Sequence, residues 1–256
     1  MHRMAIRILT GILLYTLTAC ATEPAHISFT PELSRPVNSS NGVIMATQKE
    51  IVADIEKSQV AMYTGGGLIP ALIDVAVENS RANSAEDAVR PIRDALLDYE
   101  IGTELHKALG TRLEAVPWLH VKKIEVVHDN RPKQVTSLLA ASSEDALLLL
   151  IPTYALTSDF STLKFDTEVR VVPRAAHLLP SEVGDDAEKR MAPLYKTKIS
   201  HHVPLTVQGN SKTDVANAWA SDGGKRIKEA LQQSISRTAD QIIEALSHPD
   251  RSPSTP

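Results

Sequence analysis

From Leu163 to Val171 the chain alternates strictly, with Leu163, Phe165, Thr167, Val169 and Val171 set against Lys164, Asp166, Glu168 and Arg170. A period of two puts the first set on one face of a strand and the charged set on the other. A strand with one wet face implies an antiparallel neighbour. The nearest candidate is the run Ala146-Leu147-Leu148-Leu149-Leu150-Ile151, joined to it by a hairpin around Ser158-Asp159. That run has no polar face and reads as a strand buried on both sides, with Pro152 bulging or ending its ladder. Tyr195 to Val207 supplies a third alternating strand, with Tyr195, Thr197, Ile199, His201, Val203 and Leu205 on one face. Asp214 to Leu246 then reads as a long helix with the stripe Ile227, Leu231, Ile235, Ala239, Ile242 and Leu246, interrupted at Gly223-Gly224 near Trp219.

The first half carries weaker signals. Val43 to Ala46 suits a short strand, and Glu50 to Ile55 a second one or a helical turn. Three glycines, Gly65, Gly66 and Gly67, precede a segment apolar nearly all round, Leu68-Ile69-Pro70-Ala71-Leu72 onward to Val77. Pro70 fits only the first turn of a helix, and a helix greasy on every side must be buried or pressed against something outside the fold. A capping pattern at Ser84 opens a further helical stripe through Ala88, Ile92, Ala95, Leu96, Tyr99, Leu105, Leu109 and Leu113, with Gly102 marking a kink or a break. Pro117-Trp118 ends it, Leu119 to His128 is a strand, and a short helical piece covers Val135 to Ala140. The expected body is a single α/β (α+β) sandwich over residues 43–247, with a mixed, largely antiparallel sheet packed against helices. The tail 248–256 is expected to be disordered.

The N-terminus has a different character. His2, Arg3 and Arg7 form a basic head, and Ile8 to Leu17 a short apolar core of about half the ~20 residues a membrane-spanning helix needs. It ends at Leu17-Thr18-Ala19-Cys20, which holds the only cysteine in 256 residues. This stretch resembles the lipobox of bacterial lipoproteins. The resemblance implies that residues 1–19 are a signal peptide, that Cys20 becomes the acylated first residue carrying lipid such as palmitate, and that the mature chain has 237 residues. In that family an Asp after the cysteine retains the protein at the inner membrane. Here Ala21 follows, which implies the outer membrane, facing the periplasm. Residues 20–42, with Pro24, Pro31 and Pro36, suit a flexible tether of roughly 70 Å at full stretch.

Composition narrows the partners. The formal charge of −4 becomes −6 when Arg3 and Arg7 leave with the signal. An acidic balance argues against nucleic acid as a partner. Aromatic residues make up only 4%, too few for a stacking platform.

No constellation announces a reaction. Gly65-Gly66-Gly67 lacks the Lys and Ser/Thr of a phosphate loop and the spacing of a dinucleotide fingerprint, so it reads as a structural turn or a contact surface. Ser161 and Lys164 have Ser-x-x-Lys spacing, but at the start of a strand the two side chains point apart. His201 and His202 fall on opposite faces for the same reason, one packed and one solvated. His106, His120, His128 and His177 are scattered singles. Asp185, Asp186 and Glu188 lack the order of a calcium loop. Asp74, Glu78 and Arg81 form one polar edge of the greasy helix. No catalytic, cofactor or metal residue is therefore assigned.

The element order over 43–247 is similar to that of envelope lipoproteins that activate peptidoglycan synthases and of the curli-secretion lipoprotein. Together these features lead to the expectation of a non-enzymatic, lipid-anchored binding or adaptor protein. Its partners would be the membrane through Cys20 and an envelope protein or further copies of itself, with Gly65, Gly66, Gly67, Leu68, Ile69 and Leu72 as the contact segment. An oligomeric secretion or pore component and an envelope hydrolase are the alternatives.

Overall fold

The computed structural model describes residues 26–29, 36–54, 83–129, 134–179, 191–206 and 209–251. Their architecture is a mixed sheet with helices on both faces. In chain order the elements are β1 (Ser40–Met45), β2 (Val52–Ala53), α1 (residues 83–95), α2 (Ile101–Leu109), β3 (Val121–Val127), α3 (Gln134–Ala141), β4 (Ala146–Leu156), β5 (Thr162–Pro173), β6 (Tyr195–Pro204) and α4 (Lys212–Ser247). The strand order is β3-β1-β4-β5-β6, and β2 pairs with β4 beyond the end of β1. The half built from β4, β5 and β6 is antiparallel, whereas β1 is parallel to both β3 and β4.

The expected β4–β5 hairpin is present, turning through Thr157 to Ser161, and its registers run from Ala146 opposite Pro173 to Leu156 opposite Leu163. Asp159 holds the turn. Its carboxylate accepts hydrogen bonds from Thr157 Oγ1 at 2.6 Å, Ser161 N at 3.0 Å and Ser161 Oγ at 2.9 Å, and these pull its pKa down to about 2. Because this folded value lies below the ordinary 3.8, the turn's carboxylate stabilises the fold fully above about pH 4 and stops doing so as the pH falls toward 2. An Asp159→Ala protein should accordingly show a flatter loss of stability between pH 4 and 2 than the parent. Urea midpoints measured across that range check it, and identical acid limbs would refute it.

β4 is buried on both sides, as its sequence suggested. Leu148 and Leu150 belong to the main core under α1, α2 and α4, while Leu147 and Leu149 join Val43, Met45 and Val172 in a smaller core against Val135, Leu138 and Leu139 of α3. Pro152, expected to bulge or end the ladder, does neither: β4 continues to Leu156 with Pro152 opposite Thr167. Tyr154 N and O both face Gln48, on the side away from β5. With a period of two, the nitrogen of Pro152 faces that same side, in the gap between the end of β1 and the start of β2, so no β4–β5 bond is lost.

Two other expectations change in detail, and one holds. The helical stripe from Ser84 breaks at residues 96–100, not at Gly102, which lies inside α2. A β-carbon on Gly102 would sit 2.6 Å from Val126 Cγ1 and 2.7 Å from Ala46 Cβ, so this glycine lets α2 lie directly on the sheet. α4 is interrupted as expected, with non-helical backbone at Ser221 to Gly224 and a close approach of Gly224 to Ala95. Residues 248–251 are not a loose tail: Phe29 N donates to Pro249 O at 2.8 Å, and Arg251 N to His248 O at 3.0 Å.

Described residues of the 20–42 span, expected to form a free tether, make contacts with the body. Ile27 and Lys196 exchange both backbone hydrogen bonds, at 2.7 and 3.0 Å, and Phe29 and Val37 are buried in the main core. Phe29 packs on Trp118 with ring centroids 4.8 Å apart, and Trp118 Nε1 donates to Leu246 O at 2.6 Å. Apolar Ile27, Phe29 and Val37 give this segment enough burial to leave solution, which a Pro-rich composition conceals.

Candidate functional site

A cleft of about 550 Å³ opens at the carboxyl ends of β1 and β3, where α/β sheets place their ligand crevices. The chain leaving β1 supplies Gln48, Lys49, Glu50 and Ile51. α1 and the turn after it supply Arg90, Arg93, Leu96, Leu97 and Tyr99, His128 stands just past β3, and Tyr154 rises from β4.

Much of the polar lining is committed to building the cleft. Gln48 acts as a substitute strand: its Nε2 donates to Tyr154 O at 2.6 Å and to Glu50 O at 2.8 Å, and its Oε1 accepts from Tyr154 N at 3.0 Å. The amide thus satisfies the stretch of β4 that neither β1 nor β2 reaches. Arg93, mostly buried, donates through Nε to Ile51 O at 3.0 Å, pairs with Glu50 at 3.2 Å and forks onto Glu86. His128 Nδ1 lies 3.3 Å from Ala46 O.

The lining also carries two tyrosines, Tyr99 and Tyr154, beside apolar surface. Burial first, then the carboxylates Glu100 and Glu50, push the Tyr154 hydroxyl up to about 12. Burial first, then Glu104, do the same to Tyr99, whose hydroxyl donates to Gln232 Oε1 at 3.2 Å. Both phenols stay protonated at physiological pH. Leu97, at the rim, is 77% exposed. Lys49, Arg90 and Arg93 are balanced by Glu50, Asp94 and Glu100, so the lining is not a field that selects one sign of charge.

A second hollow of about 330 Å³ lies between the end of β6 and α4, bordered by Val203, Leu205, Trp219 and Arg226. Among the described residues no three His, Cys, Asp or Glu side chains gather where they could hold a metal ion. Among them, too, no helix is long and apolar enough to cross a membrane.

Cys20 and the segment Gly65, Gly66, Gly67, Leu68, Ile69 and Leu72 lie outside the described residues, as do Asp74, Glu78, Arg81, Asp185, Asp186 and Glu188. Ser161 and Lys164 do not meet, since Ser161 bonds to Asp159 while Lys164 pairs with Asp54 at 2.5 Å. His201 and His202 take opposite faces of β6, opposite Phe165 and Lys164 respectively. Burial first, then Arg237 and His202, lower the His201 pKa. Gln48, Arg93, Leu97 and Tyr154 formed no sequence pattern, and Tyr99 stood only as one residue of the helical stripe from Ser84. Only His128, next to a strand end, carried a local hint of its place.

The described fold is thus an α/β domain with a cleft built by strand ends and helix α1. No family model and no curated protein matches the chain. Among solved structures, the PelC dodecamer from Paraburkholderia phytofirmans aligns over 80% of this chain and 94% of that one, at 10% identity and a TM-score of 0.27. A score of that size does not establish a shared fold.

Proposed function

We propose that this protein is a lipid-anchored, non-enzymatic binding or adaptor protein of the bacterial envelope, held by Cys20 at the outer membrane and facing the periplasm. The observation that carries the reading is Leu17-Thr18-Ala19-Cys20 at the end of a short apolar core behind a basic head. The cleft supports binding over catalysis. Its glutamine and its most buried arginine are tied to backbone and to neighbouring carboxylates, and its lining sets two tyrosines beside Leu96, Leu97 and Ile101. Aromatic side chains with a polar tip next to an exposed leucine are what protein-contact surfaces use.

The occupant on this reading is a segment of an envelope protein or a second copy of this chain. A photo-crosslinking amino acid placed at Leu97 in intact cells should give one discrete adduct, whose mass distinguishes a partner from a homodimer. The same probe at exposed Asp240, on α4 outside the lining and paired with Arg112, should give none. Equal, diffuse labelling from both sites would remove the cleft from the proposal.

A further inference from the structure

The docked N-terminal strap leaves little chain between the lipid and the fold. His26 meets Tyr195 edge to face with centroids 5.9 Å apart, Ile27 bridges Lys196, and Phe29 lies between Trp118 and Pro249. From Cys20 to His26 there are six residue steps, which span at most about 20 Å whatever their conformation. These contacts lie at one end of the molecule, formed by Trp118, the start of β6 and the end of α4 with Pro249 just past it. Tyr195 O–H donating to Ala245 O at 3.4 Å joins those two elements.

The cleft lies at the other end. Tyr195 pairs with Val171, which pairs with Leu148, so the start of β6 is level with Leu148 on β4. Tyr154 stands six residues further along the same strand, about 20 Å away. α4 agrees: Leu231, which lines the cleft, precedes Leu246 by fifteen residues, about 22 Å of helix.

We infer that the strap orients the anchored protein, holding the end that contains Trp118, Lys196 and Pro249 against the bilayer and directing the cleft away from it. This rests on the proposed acylation of Cys20. A free tether of 22 residues would leave the body to tumble at up to roughly 70 Å. A strap pinned at Ile27 and Phe29 confines one end to the lipid surface, so the cleft takes its occupant from the periplasmic side and not from the membrane.

The test uses the full acylated chain in phosphatidylethanolamine and phosphatidylglycerol liposomes. With the sole native cysteine acylated, Arg251→Cys beside the strap and Leu97→Cys at the cleft rim each provide one reactive thiol for a fluorophore. Energy transfer to an acceptor lipid should place the site at 251 about 20 Å closer to the bilayer than the site at 97. Adding Ile27→Pro together with Phe29→Pro removes the amides that donate to Lys196 and Pro249, and with them the Phe29 ring on Trp118. The difference should then shrink, because the next described anchor, Val37, is seventeen steps from Cys20, or about 60 Å. Equal transfer from the two sites in the otherwise unaltered sequence overturns the inference, as does a difference that the Ile27→Pro, Phe29→Pro double variant leaves intact while circular dichroism shows the fold retained. Mass measurement of the acyl group on Cys20 is made first. A chain that lacks the lipid refutes the anchoring itself, and the orientation falls with it; a chain that carries the lipid but shows no difference refutes the orientation alone.

Discussion

Cys20→Ala is expected to move the protein almost completely from the membrane fraction to the soluble fraction, with the body still folded. Burying a lipid chain contributes about 0.8 kcal/mol per methylene, and two chains make an anchor that does not detach on the timescale of fractionation. Little else in the described part would hold the chain to lipid. None of its helices is long and apolar enough to span, and the charge of −6 that the proposed loss of residues 1–19 would leave is repelled by anionic headgroups. Fractionation with palmitate labelling reads the result, and circular dichroism confirms that the released protein is intact. An unlabelled variant that stays membrane-bound and fully active would sink the proposed function.

The largest effect on stability is expected at Trp219. Its ring is 1% exposed, and its Nε1 donates to Phe160 O at 2.7 Å, so one side chain ties the first part of α4 to the β4–β5 hairpin. Phe160 sits in the left-handed region with φ 62°, a conformation the turn must hold in place. Trp219→Ala leaves a cavity and an acceptor without its donor, and the cost is about 3–5 kcal/mol. For a domain with a total stability of about 5–15 kcal/mol that is a large share. Trp219→Phe keeps most of the apolar contact and loses the hydrogen bond, so it should cost about 1–3 kcal/mol. Urea unfolding of the three proteins checks the order. A Trp219→Ala midpoint equal to that of the parent would show that the break at Ser221 to Gly224 already uncouples this end of α4.

The two effects differ in how readable they were. Cys20 is a local pattern, complete within twenty residues. Trp219 was visible only as an aromatic near a glycine pair. Its partner is a carbonyl 59 positions away, and no composition or period encodes which carbonyl that is. The cleft is an extreme case. Gln48 and Tyr154 are 106 positions apart, and a glutamine in a loop gives no sign that it will complete a strand. Tyr99 looked like one more residue in a helical stripe. The structure ends α1 at residue 95, and the turn that follows carries Tyr99 to the rim of the cleft.

The same contrast divides the fold. Strict alternation determined β5 and β6, an uninterrupted apolar run determined β4, and the stripe from Ile227 to Leu246 determined the buried face of α4, because a side chain's direction repeats every 2 or 3.6 residues whatever the rest of the chain does. The basic head, the short apolar core and Cys20 likewise stand in the sequence alone. Only the tertiary structure decided that β1 has parallel neighbours on both sides, that Pro152 sits harmlessly at a gap in the ladder, and that residues 26–29 dock on β6 and α4 instead of running free. Each of these depends on which distant backbone groups and apolar surfaces meet, and that is set by burial across the whole domain and not by any local period.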